Sequence, residues 1–380
     1  MSARLASHRL AGIEALRAVA ALMVVFYHLV ELPKFQIPES IGIIKTHFGF
    51  GVPLFYALSG FVLAFGYAEK LHDRPSVLHY LLRRLFRIAP LFYSMLAAWM
   101  ALMWFKYGKL ESLSDVFLNA MFLFGLVPGK HEGIVWAGWS IGIEMQFYLV
   151  FPVLVTLVAG AMSGSLAWLI AAFTSAAAYK ALEAAGMGSY AYMNLITHLP
   201  FFIAGLLAYR LWERSDFRHS RLKGALLLLG AAVATVAMLR SPAIYLALFE
   251  VRWIDLHRNA WALVFIAVIL GVCYWPQRLL VNRVTTFLGK ISFSLYLLHP
   301  LLIFSLMELG VYDSVFEFAG PGWRGGTVVV LITLGLLVSA SAVTFRVIEL
   351  PGMAYGKRLG TRCLKDELKG RDGDKSKRLT

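Results

Sequence analysis

With only two cysteines among 380 residues, Cys273 and Cys363, the chain has no material for a disulfide framework or a thiolate metal cluster. Charge is also scarce: Asp, Glu, Lys and Arg make up 15 % of the residues, and acidic residues are the rarer sign, 22 against 36 basic. No nucleic-acid-binding motif accompanies the net charge of +14, so the basic excess points to membrane topology and anionic lipid rather than to nucleic acid. No internal repeat stands out, which argues against a transporter built from duplicated halves. The first apolar stretch has no small-residue cleavage site, so no cleavable signal is expected, and no soluble domain is expected before the first span or after the last.

Apolar residues are abundant. They form 59 % of the chain, the mean hydropathy is +0.69, and long apolar runs recur along nearly its whole length. A membrane span needs roughly 20 mostly apolar residues. Ten such segments are read, near 9–31, 48–68, 85–105, 138–160, 165–184, 194–211, 222–240, 258–276, 285–308 and 325–348. Val116–Pro128 is apolar but short and is expected to lie on or dip into the membrane. In lipid the backbone must satisfy its own hydrogen bonds, and lengths that suit helices exclude a barrel. The predicted fold is an all-α polytopic integral membrane bundle of about ten transmembrane helices, formed by residues 1–356. A basic tail, 357–380, is expected to be disordered and holds nine basic and four acidic residues. Arginines also crowd the loops 69–87 and 210–223, whereas 31–47, 106–135, 180–193, 240–258 and 308–324 together hold ten basic against eleven acidic residues. This asymmetry predicts that both termini are cytoplasmic and that the second set of loops faces outward.

Against this apolar background a few polar residues stand out. Arg17 and His28 lie eleven residues apart in Ala11–Glu31. They therefore share one helix face, with about 16 Å between them along the axis. An ionisable group inside a span costs at least about 2.5–3.5 kcal/mol, so it usually faces a polar interior and a partner. The alternative is an anchoring arginine with Glu14 as its i, i+3 partner and a histidine snorkelling outward. In FGFGVPLFYALSGFVLAF (48–65), Ser59-Gly60 interrupts the span, either for close helix packing or to bend it beside a cavity. Arg84 and Arg87, one turn apart at the cytoplasmic entry of the third span, suit phosphate oxygens and ordinary anchoring equally. Ser140, Glu144 and Tyr148 form an i, i+4, i+8 stripe at the depth of His28, where a buried carboxylate is expected to orient the imidazole. Ser292, Tyr296 and His299 share a face in ISFSLYLLHP, and Pro300 frees a backbone carbonyl; packing and functional roles for His299 are equally open. Glu349 and Pro351 read as the stop of the last helix.

In this order, Arg17-(ten residues)-His28, GVPLFYALSGF, Arg84-x-x-Arg87, WSIGIEMQFYLVFP and ISFSLYLLHP resemble the integral-membrane acyltransferase family 3 of carbohydrate O-acyltransferase type. The resemblance runs from Gly12 to Pro351. Two details depart from the common pattern: Phe55-Tyr56 stands for two Phe, and Glu144-Met145-Gln146 keeps a single carboxylate. The resemblance implies transfer of an acyl group, most often acetyl, from cytoplasmic acyl-CoA to hydroxyls of cell-envelope carbohydrate, by an enzyme integral to the cytoplasmic (inner) membrane. It makes His28 the essential histidine, Arg17 its partner, and Arg84 with Arg87 the holders of the donor, whose polyanionic head Arg17 is also expected to meet. On this reading Glu144 assists His28, while Ser59, Ser140, Tyr148, Tyr296 and His299 are candidates for the substrate path. Direct transfer and an acyl-histidine relay are both compatible with these residues. The partners are then acyl-CoA, a carbohydrate or glycolipid acceptor and the bilayer, with no nucleic acid, no metal and no resident cofactor; acetyl-CoA enters as a substrate. The acceptor stays open between lipopolysaccharide, exopolysaccharide, a lipo-oligosaccharide and a macrolide-like molecule. The rival function is a transporter or flippase of an envelope lipid or sugar.

Overall fold

The computed structural model describes residues 3–215, 220–240, 250–251, 254–255 and 257–377. In chain order the helices are α1 (Ala3–Glu31), α2 (Ile43–His47), α3 (Gly51–Tyr67), α4 (Arg74–Tyr107), α5 (Leu113–Ala120) and α6 (Trp139–Leu157). Then follow α7 (Ala161–Ala184), α8 (Gly188–Tyr192), α9 (Leu195–Glu213), α10 (Arg221–Arg240) and α11 (His257–Tyr274). The last are α12 (Arg283–Lys290), α13 (Ser292–Glu308), α14 (Val311–Ala319), α15 (Trp323–Thr344) and α16 (Leu350–Lys377). Among the described residues the only strands are a two-residue antiparallel ladder, Glu250–Val251 with Ile254–Asp255. Most of the loop 240–258, Arg218 and the last three residues of the chain lie outside the described residues.

Each of the ten predicted segments is helical, and eight helices are long and apolar enough to cross a membrane. The chain is thus a polytopic all-α membrane protein. Two segments differ from the simple picture. The segment 285–308 is not one rod: α12 and α13 meet at 71°. Asn282 caps α12 by accepting from the Val284 and Thr285 amides, and Gly289 seats its backbone against the Glu14 carbonyl of α1. This close approach to α1 and the turn at Ile291 set the direction in which α13 enters the bundle. The second, Arg258–Tyr274, is shorter than the other spans.

The C-terminal end also departs from expectation. Glu349-Pro351 does not stop the helix, and the chain beyond Lys357 is helical as far as Lys377 instead of disordered. Phe345–Glu349 forms a π-helical turn in which the Leu350 amide reaches the Phe345 carbonyl. That wider turn accommodates Pro351, which has no amide to donate, and lets α16 continue. Gly352, Gly356 and Gly360 lie one turn apart on one side of α16. A methyl group there would press on Pro90, Phe86 and His79 of α4, so absent side chains are what allow the two helices to touch.

The centre of the bundle is α1, which packs against α3, α11, α12 and α13. Across from it α3 lies on α9, with Gly60 set against the Phe202 carbonyl and Gly205 against that of Ala57. The packing reading of Ser59-Gly60 therefore holds at Gly60. The Val116–Pro128 stretch does not cross: it forms α5 and a short 3-10 turn, and Phe122 and Phe124 plug the bundle against Phe92.

Candidate active site

His28 lies in the last turn of α1 with its ring wedged between side chains from three places. Tyr27 and Trp136 meet it edge-on, each with centroids 4.9 Å away. On the third side His28 Nδ1 lies 2.8 Å from Nε2 of His299, and His299 Nδ1 lies 2.5 Å from the Tyr296 carbonyl oxygen. His28 is also on the wall of a cavity of about 550 Å³. Lys45, Glu132, Tyr192 and Arg258 rim that cavity, one from each of four loops that the charge pattern places outside. Its walls are aromatic, with Trp136, Trp139 and Tyr296 among them. His299 is fully buried and lines neither cavity, so its expected place on a substrate path is replaced by one behind His28.

Below this chamber lies a second, small cavity of about 40 Å³, lined by Arg17, Ser59, Ser140, Glu144, Ser292 and Tyr296. Val52 and Tyr296 line both cavities and so form the wall between them. Tyr296 is held there by Ser140 Oγ at 2.6 Å and by the Ala137 carbonyl, to which its hydroxyl donates at 3.0 Å. Ser140 and Glu144 of the sequence stripe are therefore brought together with Arg17 as a lining, while Tyr148 does not line the cavity and reaches it only through Glu144. The expected Glu144–His28 hydrogen bond, however, is absent. Ser59 and Tyr148 both donate to Glu144 Oε1, each at 2.6 Å. The partner of His28 is another histidine, because α13 rather than α6 carries a polar side chain at its level.

Toward the opposite end, Arg17, Arg84 and Arg87 gather closely enough to act on one another through charge. Arg17 donates to Ser292 Oγ at 3.3 Å. Arg84 donates to the Tyr67 hydroxyl at 3.3 Å, lies over the Tyr67 ring, and leaves its buried Nε without a partner. Arg87 donates to the Met353 thioether at 3.4 Å, a weak acceptor. Glu349, 1 % exposed, belongs to the same charge cluster, aimed inward by the π-helical turn and hydrogen-bonded to Ser294. Read as a helix stop, its interior role was missed; its signal was a carboxylate two residues before a proline at the end of a span. Among the described residues no ion pair joins any of these arginines to Glu144 or Glu349.

A histidine–hydroxyl pair sits beside Glu132, where His131 Nε2 is 3.0 Å from Ser189 Oγ. The Gly129 amide donates to His131 Nδ1, so Nε2 holds the proton and donates to Ser189, which in turn donates to Glu132. Burial also pushes the His131 imidazole below its ordinary value. Wired this way, His131 has no lone pair toward Ser189 and cannot activate it.

The model of acyltransferase family 3, an acyltransferase domain, matches residues 10–345. The chain belongs to this family and, with its long apolar helices, is an integral membrane protein. A Staphylococcus aureus (strain COL) protein named "Putative O-acetyltransferase" is 23 % identical over 378 residues, covering 90 % of this chain and 56 % of the relative. The chain thus spans about half the length of these staphylococcal relatives. A protein of Acidianus two-tailed virus named "Putative acetyltransferase" is 26 % identical over 318 residues, covering 79 % of this chain and 85 % of the relative. No solved structure matches the chain.

Proposed function

We propose that the chain moves an acetyl group from cytoplasmic acetyl-CoA to a hydroxyl of a cell-envelope or exported carbohydrate, from a position in the cytoplasmic membrane with both termini inside. One observation carries this reading: an aromatic-walled outer cavity ends on His28, while unpaired arginines gather toward the other side of the bundle. Three like charges close together repel unless an anion fills the space between them. The phosphates of an acyl-CoA head group supply such an anion, and the guanidinium forks suit their oxygens. The slender pantetheine arm then passes the small cavity, and its thioester meets the acceptor at the wall made by Val52 and Tyr296.

There His28 takes the proton of the acceptor hydroxyl as the oxygen attacks the thioester carbonyl. A C–O bond forms, the C–S bond breaks, and CoA departs as thiolate toward its own side, where it takes a proton from water. His28 gives the acceptor's proton to water in the outer cavity, which restores the base and balances the hydroxide left behind. Holding two reactants from opposite faces at one point supplies the proximity term. The rival reading as a transporter explains neither the arginine cluster nor the single histidine at the end of the outer cavity.

Mass spectrometry of envelope glycans from cells with and without the gene tests the proposal. A lost acetyl increment is expected in the deletion strain, restored by the wild-type chain and not by His28→Ala produced at the same level. Normal acetylation with His28→Ala would remove His28 from the chemistry.

A further inference from the structure

A proline sets the chemistry of a histidine one helix away. In α13 the carbonyl of Tyr296 faces position 300, four residues on, where a helix would present an amide. Residue 300 is proline and has none, so the carbonyl is left without its ladder partner. His299 fills the gap with Nδ1, at 2.5 Å. A carbonyl oxygen can only accept, so Nδ1 of His299 carries a hydrogen.

The consequence passes along the contact. No carboxylate pairs with either ring among the described residues, and His299 is fully buried, so both imidazoles are neutral. A neutral His299 with its proton on Nδ1 offers a lone pair at Nε2. His28 Nδ1, 2.8 Å away, must therefore donate to it.

We infer that Pro300, the Tyr296 carbonyl and His299 form a relay that locks His28 in its Nδ1–H tautomer, leaving Nε2 as the atom that takes the acceptor's proton. Free imidazole side chains exchange between tautomers; here one is selected by a missing amide. His299 is a positioning residue, since its hydrogen bonds run to His28 and to its own helix and it lines neither cavity. The inference rests on His28 being the base in acyl transfer, but the tautomer itself is measurable without any substrate.

The full chain, labelled with 15N-histidine and reconstituted in lipid nanodiscs, is examined by correlation of ring nitrogens and hydrogens. The His28 signals are those lost in His28→Asn. At neutral pH they are expected to show a protonated Nδ1 and a bare Nε2. His299→Phe keeps a ring in place but removes both nitrogens, so His28 is expected to shift in part to the Nε2–H form. Pro300→Ala supplies an amide that competes for the Tyr296 carbonyl, and a smaller shift in the same direction is expected. In cells, envelope acetylation by His299→Phe should fall by about 10²-fold, in line with the weight of a general base, with acetyl-CoA affinity of the purified variant unchanged. A wild-type His28 protonated at Nε2, or a His28 tautomer unmoved in both variants, overturns the inference. If the tautomer is as stated but His28→Ala still acetylates, the relay stands and the proposed function falls.

Discussion

Both hydroxyls that hold Glu144 address the same oxygen, Oε1, and Glu144 lines the small cavity together with Arg17. Glu144→Gln keeps an oxygen able to accept from Ser59 and Tyr148, so this variant should fold with a melting temperature close to wild type. Glu144→Leu strands both donors, at about 1–3 kcal/mol for each buried group left unpaired, and thermal unfolding should show the loss. Equal stability of the two variants would mean that the hydroxyls do not depend on Glu144. Arg87 offers a different separation. With a thioether as its hydrogen-bond partner among the described residues, Arg87→Ala should cost the fold less than it costs the donor site, and should weaken acetyl-CoA binding by roughly tenfold or more. Arg87→Lys should recover part of that, because an ammonium lacks the fork. Calorimetric titration of acetyl-CoA reads both, and unchanged affinity returns the pair to plain anchoring. That Arg17 and His28 share a face was legible from helical spacing alone, as was the Ser140–Glu144–Tyr148 stripe. Which residue stands opposite His28 was not, because it depends on the rotation and depth of a helix more than 270 residues away in sequence. A carboxylate was the natural guess for its partner; the neighbour is an imidazole.

At the level of the helices, the contact of α3 with α9 depends on two glycines that face each other's backbones. Gly60→Ala should push α3 from α9 and cost about 1–3 kcal/mol, as overpacking does. Because Ser59 is the next residue and reaches Glu144, the same change should also disturb the small cavity. A thermal shift and a drop in acetylation are therefore expected together; a stable, fully active Gly60→Ala would show that the contact gives way freely. Helix number and approximate bounds were readable from apolar length. The bend between α12 and α13 and the continuation through Pro351 were not. Both are decided by what a backbone meets across the bundle, the Glu14 carbonyl in one case and Phe86 and Pro90 in the other. Local pattern suggests where a helix is strained, but the neighbour decides whether it breaks or widens.

For the molecule as a whole, the arginine-rich loops predict orientation. In a variant lacking Cys273 and Cys363, single cysteines placed in 31–47 and 308–324 should react with an impermeant thiol reagent added outside, and cysteines in 357–377 should not. External labelling of the C-terminal helix would invert the scheme and exchange the donor and acceptor sides. The wall of Val52 and Tyr296 between the two cavities then bears on permeability. A bilayer that stores a voltage and a proton gradient tolerates no continuous water thread, and an enzyme with polar chambers on both sides comes close to making one. Tyr296, clamped to Ser140 and to the Ala137 carbonyl, keeps the two chambers from joining. In the proposed reaction the acyl group is then handed across a barrier that stays closed to ions.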